Sequence, residues 1–69
     1  MTDRTCPLSP RELEILQLLT EGLSRPELAE RLGIGAGTVR SHLRTVYAKL
    51  GVLKTEAAVA VALRHGWIA

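Results

Sequence analysis

Residues 33–35 ("GIG") separate two segments in which apolar residues recur at the spacing of an α-helix. So short a connection limits how the two helices can be arranged. After this connection, apolar residues recur at i, i+4, i+7, i+8 and i+11, which predicts a helix over residues 36–50. These residues are Val39, Leu43, Val46, Tyr47 and Leu50. Before the connection, "LSRPELAERL" predicts a short helix that Gly33 ends. Two helices joined by so short a turn containing glycine are typical of a helix-turn-helix. An ordinary helical hairpin is the alternative, because it uses the same glycine.

Paired start signals predict the first two helices. Ser9 with Glu12, and Ser24 with Glu27, have the spacing of a capping box, in which each side chain bonds to the other residue's backbone N–H. A fourth helix is expected near the end of the chain. Four helices with short connections predict a compact all-α domain over residues 8–69, preceded by a flexible segment over residues 1–7.

The fourth helix is predicted over about residues 56–65, with Thr55 as its cap and Gly66 as its stop. Its side chains are apolar around the full circumference. One face must cover the first and third helices, so a second apolar face is left for a partner, and we expect dimerisation there. The alternative is that the whole helix is buried in its own domain. The predicted dimer face consists of Ala58, Val59, Val61, Ala62 and His65.

Composition excludes several kinds of site. Cys6 is the only cysteine in 69 residues, so an internal disulfide and a cysteine-built zinc site are both excluded. Cysteine usage of this kind suits a reducing cytosol. The longest apolar run, residues 57–63, is far shorter than a membrane span, and no signal peptide is apparent over residues 1–7. We therefore expect a cytoplasmic protein without a membrane partner.

Charge is distributed unevenly along the chain. Residues 1–30 carry three basic and six acidic side chains, a net −3, whereas residues 31–69 carry six basic and one acidic, a net +5. A basic half on a folded domain points to a polyanionic partner. From the charge distribution alone, a solvated surface without such a partner is an equally good interpretation.

The outward face of the third helix favours the polyanion. Opposite its apolar stripe, the sequence places two arginines among small and hydroxyl side chains, and no acidic residue occurs over residues 31–55. Arginine matches guanine O6 and N7 in the major groove of DNA, at about 1–3 kcal/mol of discrimination per good pair. Two side chains on the flank are placed for phosphate contact. The outward face is Arg40, Ser41, Arg44, Thr45 and Ala48, and the flank is Thr38 and His42.

Several blocks resemble the LuxR-type (GerE-like) helix-turn-helix domain of bacterial transcription regulators. They are "LSPRELEIL", "EGLSRPELAERLGI", "GTVRSHLRTVYAKLGV" and "ALRHG", which together cover about residues 8–68 in order. The resemblance implies a third helix that reads the major groove and a fourth helix that pairs two protomers. It also implies that Thr38, Arg40, Ser41 and Arg44 face DNA, and that Lys49 touches the DNA backbone.

Three departures from that family pattern affect these expectations. Gly35 and Ala36 stand where the family usually has a serine cap and an acidic residue. Pro26 stands where a lysine is frequent, which removes one expected phosphate contact. Thr55 and Glu56 come one position early, so we expect the fourth helix to begin one residue sooner.

These observations predict a sequence-specific regulator of transcription that binds double-stranded DNA as a homodimer and is associated with the nucleoid. An inverted repeat, read by two recognition helices, is the expected operator. No enzyme, metal or cofactor is predicted, because the sequence has no nucleophile–base set and no metal-ligand spacing, and "GIGAG" follows a helix rather than a strand. The rival interpretation is a helical module that docks on another regulator or on RNA polymerase.

Overall fold

A computed structural model of the chain describes residues 6–69, which form four helices and contain no strand. The helices are α1 (Pro10–Thr20), α2 (Arg25–Leu32), α3 (Ala36–Leu50) and α4 (Thr55–Arg64). The radius of gyration is 11.2 Å. The predicted all-α, four-helix fold is confirmed. Of the segment predicted to be flexible, residues 1–5 lie outside the described part of the chain.

Both predicted capping boxes are present. At α1, Ser9 Oγ accepts the Glu12 backbone N–H at 3.1 Å, and the Ser9 N–H donates to Glu12 Oε1 at 2.9 Å. At α2, the matching bonds between Ser24 and Glu27 measure 3.3 and 2.8 Å. A serine at this position stabilises its helix by about 1 kcal/mol relative to alanine. These local bonds fix where the first two helices begin.

The connection between α2 and α3 is a left-handed turn at Gly33, with φ +69°. The Ile34 N–H donates to the Ala29 carbonyl at 3.0 Å, which closes the end of α2 and brings the Ile34 side chain against the core. A residue with a Cβ is disfavoured at this φ, so glycine is required for the change of direction. The turn sets α3 across α2, as the sequence predicts.

The core lies where all four helices meet. Its largest fully buried side chains come from α1, α2 and α3, whereas α4 contributes small ones. Ala58 and Ala62 of α4 are each 0% exposed. The prediction that these two alanines belong to a dimer face is therefore wrong for the described fold, because their side of α4 is already covered by the domain. The large core residues are Ile15, Leu16, Leu28, Val39, Leu43 and Val46.

The start of α4 also differs from the prediction. Lys54, rather than Thr55, is the N-cap, and its side chain makes no capping hydrogen bond. Thr55 is the first residue of the helix, and its hydroxyl lies 2.5 Å from the Tyr47 hydroxyl and accepts from Arg25 at 2.8 Å. A contact with distant residues thus takes the hydroxyl that the sequence pattern assigned to a local cap.

At its other end, α4 closes as predicted through Gly66, with φ +75°. The Trp67 N–H donates back to the Ala62 carbonyl at 2.9 Å, and the indole stacks on the His65 ring with centroids 4.6 Å apart. None of the helices in residues 6–69 has the length and apolar character that crossing a membrane requires.

Candidate nucleic-acid interface

The outward face of α3 is exposed along its whole length. All five residues predicted for it are exposed, while Val39, Leu43 and Val46 behind them are at most 1% exposed. The helix is therefore anchored from the back and open at the front. The Thr45 hydroxyl donates to the Ser41 carbonyl at 3.1 Å, so its proton is used within the helix and only its oxygen and methyl group face outward.

Arg40 and Arg44 lie one turn apart on this face. The ion pairs among residues 6–69 are Arg11–Glu14 and Lys49–Glu12, and neither involves Arg40 or Arg44. No acidic residue lies in the first turn of α3. Within residues 6–69, no ion pair occupies the two guanidinium groups, so their hydrogen-bond donors are available to an external acceptor.

Two edges border this face, as follows from the rotation of about 100° per residue in an α-helix. We call them the Lys49 edge and the Arg40 edge. The Lys49 edge carries Thr38, His42 and Lys49, and the Arg40 edge carries Arg40 and Tyr47. His42 and Tyr47 are half-buried and the other three are exposed. The edges differ in the partners that their residues find inside the domain.

On the Lys49 edge, the ammonium group is paired with a buried carboxylate. Lys49 Nζ donates to Glu12 Oε1 at 2.9 Å, and Glu12 is only 5% exposed. Burial raises the pKa of Glu12, but hydrogen bonds from Lys49 and from the Ser9 N–H outweigh it, so that the pKa lies below its ordinary value. Lys49 thus links the end of α3 to the first turn of α1. Its predicted contact with the DNA backbone stays a prediction, and its internal partner was missed because it is 37 residues away in sequence.

On the Arg40 edge, a polar cluster joins three helices. Arg25 Nη2 donates to the Tyr47 hydroxyl at 3.2 Å and to the Thr55 hydroxyl at 2.8 Å. We call Arg25, Tyr47 and Thr55 the Arg25 cluster. No sequence pattern singled out Arg25, because its partners lie 22 and 30 residues further along the chain.

The N-terminus of α3, which we call its mouth, is open to solvent. Gly35 is the N-cap, with extended φ and ψ and no side chain to cap the helix. The first N–H groups of a helix have no partner within it. Here the Thr38 N–H already donates to the Gly35 carbonyl at 3.1 Å, and no carboxylate of the first turn competes for the N–H groups of Ala36 and Gly37. A Cβ added at Gly35 or at Gly37 would meet no atom within 4 Å. Backbone donors at this end are therefore accessible to an anion.

The rest of the predicted dimer face lies on the two flanks of the buried side of α4, because Val59 and Val61 are about 160° apart around the helix. Val59 and Val61 are half-buried, and His65 is exposed. Leu63 is 45% exposed and lies one turn from Val59 on the same flank. This surface is smaller than the sequence suggests, because Ala58 and Ala62 face the core.

Comparisons with known proteins agree with this geometry. A family model described as "Bacterial regulatory proteins, luxR family" matches residues 6–62. The chain belongs to this family. It is therefore a helix-turn-helix domain of the kind found in DNA-binding transcription regulators, which is not a class of enzyme, and the predicted resemblance is confirmed.

Individual relatives place the LuxR-family domain within larger proteins as well as alone. The chain is 43% identical over 60 residues to the transcriptional regulatory protein MctR of Rhizobium johnstonii, covering 87% of this chain but only 28% of MctR. The structure of the transcription factor GerE has a TM-score of 0.86 and 37% identity, with 90% of this chain and 92% of that one covered. The structure of a Vibrio cholera VqmA–ligand–DNA complex has a TM-score of 0.80 and 32% identity. The match covers 96% of this chain and 29% of the VqmA chain.

Proposed function

We propose that this LuxR-family domain regulates transcription by placing α3 in the major groove of double-stranded DNA and reading its sequence there. The observation that carries the proposal is the pair Arg40 and Arg44, exposed one turn apart and engaged in no ion pair within residues 6–69. An α-helix fits the major groove, which is about 12 Å wide. The VqmA complex, whose structure was solved with DNA, supports this role for a related fold.

Contacts on the two parts of the surface would serve different purposes. Arg40 and Arg44 carry donors that match guanine O6 and N7, and Ser41 offers a short hydroxyl between them. Ala48 is small, which keeps the face narrow enough to enter the groove. Thr38, His42 and Thr45, with the backbone N–H groups at the N-terminus of α3, would position the helix against phosphates. Lys49 would add to this only with the donors that its bond to Glu12 leaves free.

We further propose that two copies bind together through α4. The candidate residues are Val59 and Leu63 on one flank of the buried alanines, and Val61 and His65 on the other. The exposed apolar surface of these residues supports the pairing. A twofold pair would place two α3 helices about one DNA turn apart, so that the domain reads an inverted repeat. The domain would act in the cytoplasm, bound to the chromosome of the nucleoid.

Selection of bound sites from random duplex DNA tests the proposal directly. We expect an enriched inverted repeat whose half-sites are separated by about one helical turn. Arg44→Ala should then lower affinity for the selected site more than for random duplex, because a base contact is lost together with a charge. Equal losses on both duplexes would contradict the assignment of Arg44 to base reading.

The second candidate function is a module that docks on another regulator or on RNA polymerase, with α4 as its surface. The exposed Leu63 on this helix favours it. A titration against duplex DNA over a range of salt separates the two. DNA binding predicts that log affinity falls with log salt with a slope of about −0.9 per phosphate contacted. A flat response would favour docking on a protein.

A further inference from the structure

Arg25 is held by two hydroxyl groups from other helices. Its Nη2 donates to Tyr47 of α3 and to Thr55 of α4, and these two hydroxyls are themselves hydrogen-bonded at 2.5 Å. Arginine has five N–H donors, and both of these bonds use Nη2. Within residues 6–69, the donors on Nε and Nη1 have no acceptor, so they are left for another one.

The partners of Arg25 orient its charge without neutralising it. Tyr47 and Thr55 are neutral hydroxyls, and neither ion pair found within residues 6–69 involves Arg25. Lys49 differs, because a buried carboxylate receives its ammonium. Arg25 is also exposed, whereas Tyr47 and Thr55 are half-buried. The Arg25 cluster is thus an oriented cation at the surface whose anion is not supplied by the described part of the domain.

The cluster lies where a phosphate would pass if α3 entered a groove. Tyr47 is seven residues after Arg40, which places it within about 20° of Arg40 around the helix and about 10 Å further along its axis. With side chains, a helix is about as wide as the major groove, so groups that lie outside its two edges are next to the two backbones. Arg25 is attached to Tyr47 on the outside of the Arg40 edge, next to one backbone.

We infer that Arg25 binds a phosphate of the DNA backbone that borders the groove on the Arg40 edge, and that Tyr47 and Thr55 are its positioning residues. This inference rests on the proposed function, since it requires α3 to lie in the groove. It gives the domain a phosphate contact from the first turn of α2, at the position before Pro26.

Salt-dependent binding to random-sequence duplex tests the inference, since phosphate contacts do not depend on sequence. Arg25→Gln removes the charge and keeps a polar side chain. We expect an affinity loss on the order of tenfold at moderate salt and a slope reduced in magnitude by about 0.9, the contribution of one phosphate. Arg25→Lys, which keeps the charge, should restore the slope.

Arg11→Gln is the matched control, because Arg11 is an exposed arginine that already pairs with Glu14 at 3.7 Å. Its slope should equal that of the wild-type domain. If Arg25→Gln gives the same slope as Arg11→Gln while the wild-type slope is steep, the inference is overturned and the proposed function stands. A wild-type domain without a steep slope would overturn both.

Tyr47→Phe tests the positioning role separately. The charge of Arg25 remains, so the slope should stay at the wild-type value, while freeing the side chain should weaken binding by about two- to threefold through lost preorganisation. The thermal unfolding midpoint of each variant, followed by circular dichroism, shows that the domain is folded under the binding conditions. Unchanged affinity in the folded Tyr47→Phe variant would overturn the positioning role.

Discussion

The two edges of α3 use positive charge in different ways. Lys49 and Arg25 each join α3 to a neighbouring helix, through hydrogen bonds of 2.9 Å between Lys49 and Glu12 and of 3.2 Å between Arg25 and Tyr47. Lys49 meets Glu12, a carboxylate that is 5% exposed and whose pKa the ammonium group helps to lower. Arg25 meets hydroxyl groups, which carry no charge. A cation contributes to folding when its partner is a buried charge, and it remains available for binding when its partners are neutral.

The largest effect that would test this comparison is the loss of the cation from the Lys49 edge. Lys49→Met keeps most of the apolar stem and leaves the Glu12 carboxylate buried without its ammonium partner. We expect a loss of about 2 kcal/mol in the free energy of unfolding, less than for a fully buried pair because Lys49 is partly solvated. Urea unfolding at neutral pH, followed by circular dichroism, measures it.

The same variant distinguishes the two roles of Lys49. If the ammonium serves mainly the fold, Lys49→Met should lower stability and change the salt slope of DNA binding little, once the domain is kept folded at low temperature. Unchanged stability together with a slope reduced by about 0.9 would show that Lys49 is a backbone contact and would break the comparison.

Acid should act on the Lys49 edge through Glu12. Its pKa is lowered in the folded state, so its contribution to stability is present above the ordinary value of 4.5 and is lost as the pH falls through the lowered pKa. Glu12→Gln should cost about 1 kcal/mol at neutral pH. The stability of this variant should fall less than that of the wild-type domain on acidification. If the free energy of unfolding fell by the same amount in both proteins over this pH range, the role given to Glu12 would be contradicted.

How far sequence predicts this molecule depends on the distance between partners. The caps at Ser9 and Ser24, the turn at Gly33 and the buried stripe of α3 were predicted, because each signal lies within a few residues. The Arg25 cluster was not, since it joins residues 22 and 30 apart. The cap of α4 was misplaced at Thr55 for the same reason.

The orientation of α4 shows a second limit of sequence alone. Ala57 to Leu63 are apolar on every side, so periodicity cannot indicate which side faces inward. Packing decides it, and the two alanines at 58 and 62 allow α4 to approach the other helices closely. The outward face of α3 could be predicted because its charged side and its apolar side differ.

Removing Arg25, the cation that is hydrogen-bonded to the Arg40 edge, is the counterpart of the first experiment, and its effect on folding should be smaller. Arg25→Gln loses hydrogen bonds at an exposed site, and the hydroxyls it leaves can bond to each other and to water. We expect a loss of about 0.5 kcal/mol in the free energy of unfolding. Urea unfolding of this variant and of Lys49→Met under the same conditions gives the ratio of the two losses in the free energy of unfolding. Equal losses would mean that both cations serve the fold and that the edges do not differ.

The smallest expected effect concerns the end of α3 that neither edge secures. Tyr47 and Lys49 both lie in the last half of the helix, whereas its first turn begins at Gly35 without a side-chain cap. Gly35→Ser should add a few tenths of a kcal/mol, since the backbone is already extended there and an added Cβ meets no atom within 4 Å. Amide exchange should slow in the first turn of α3 and not around Tyr47. The gain should be the same with and without Lys49→Met, because the sites are far apart along the helix. A gain that disappears in the Lys49→Met background would mean that the mouth of α3 is held through the Lys49 edge, and the two halves of the helix would then order together.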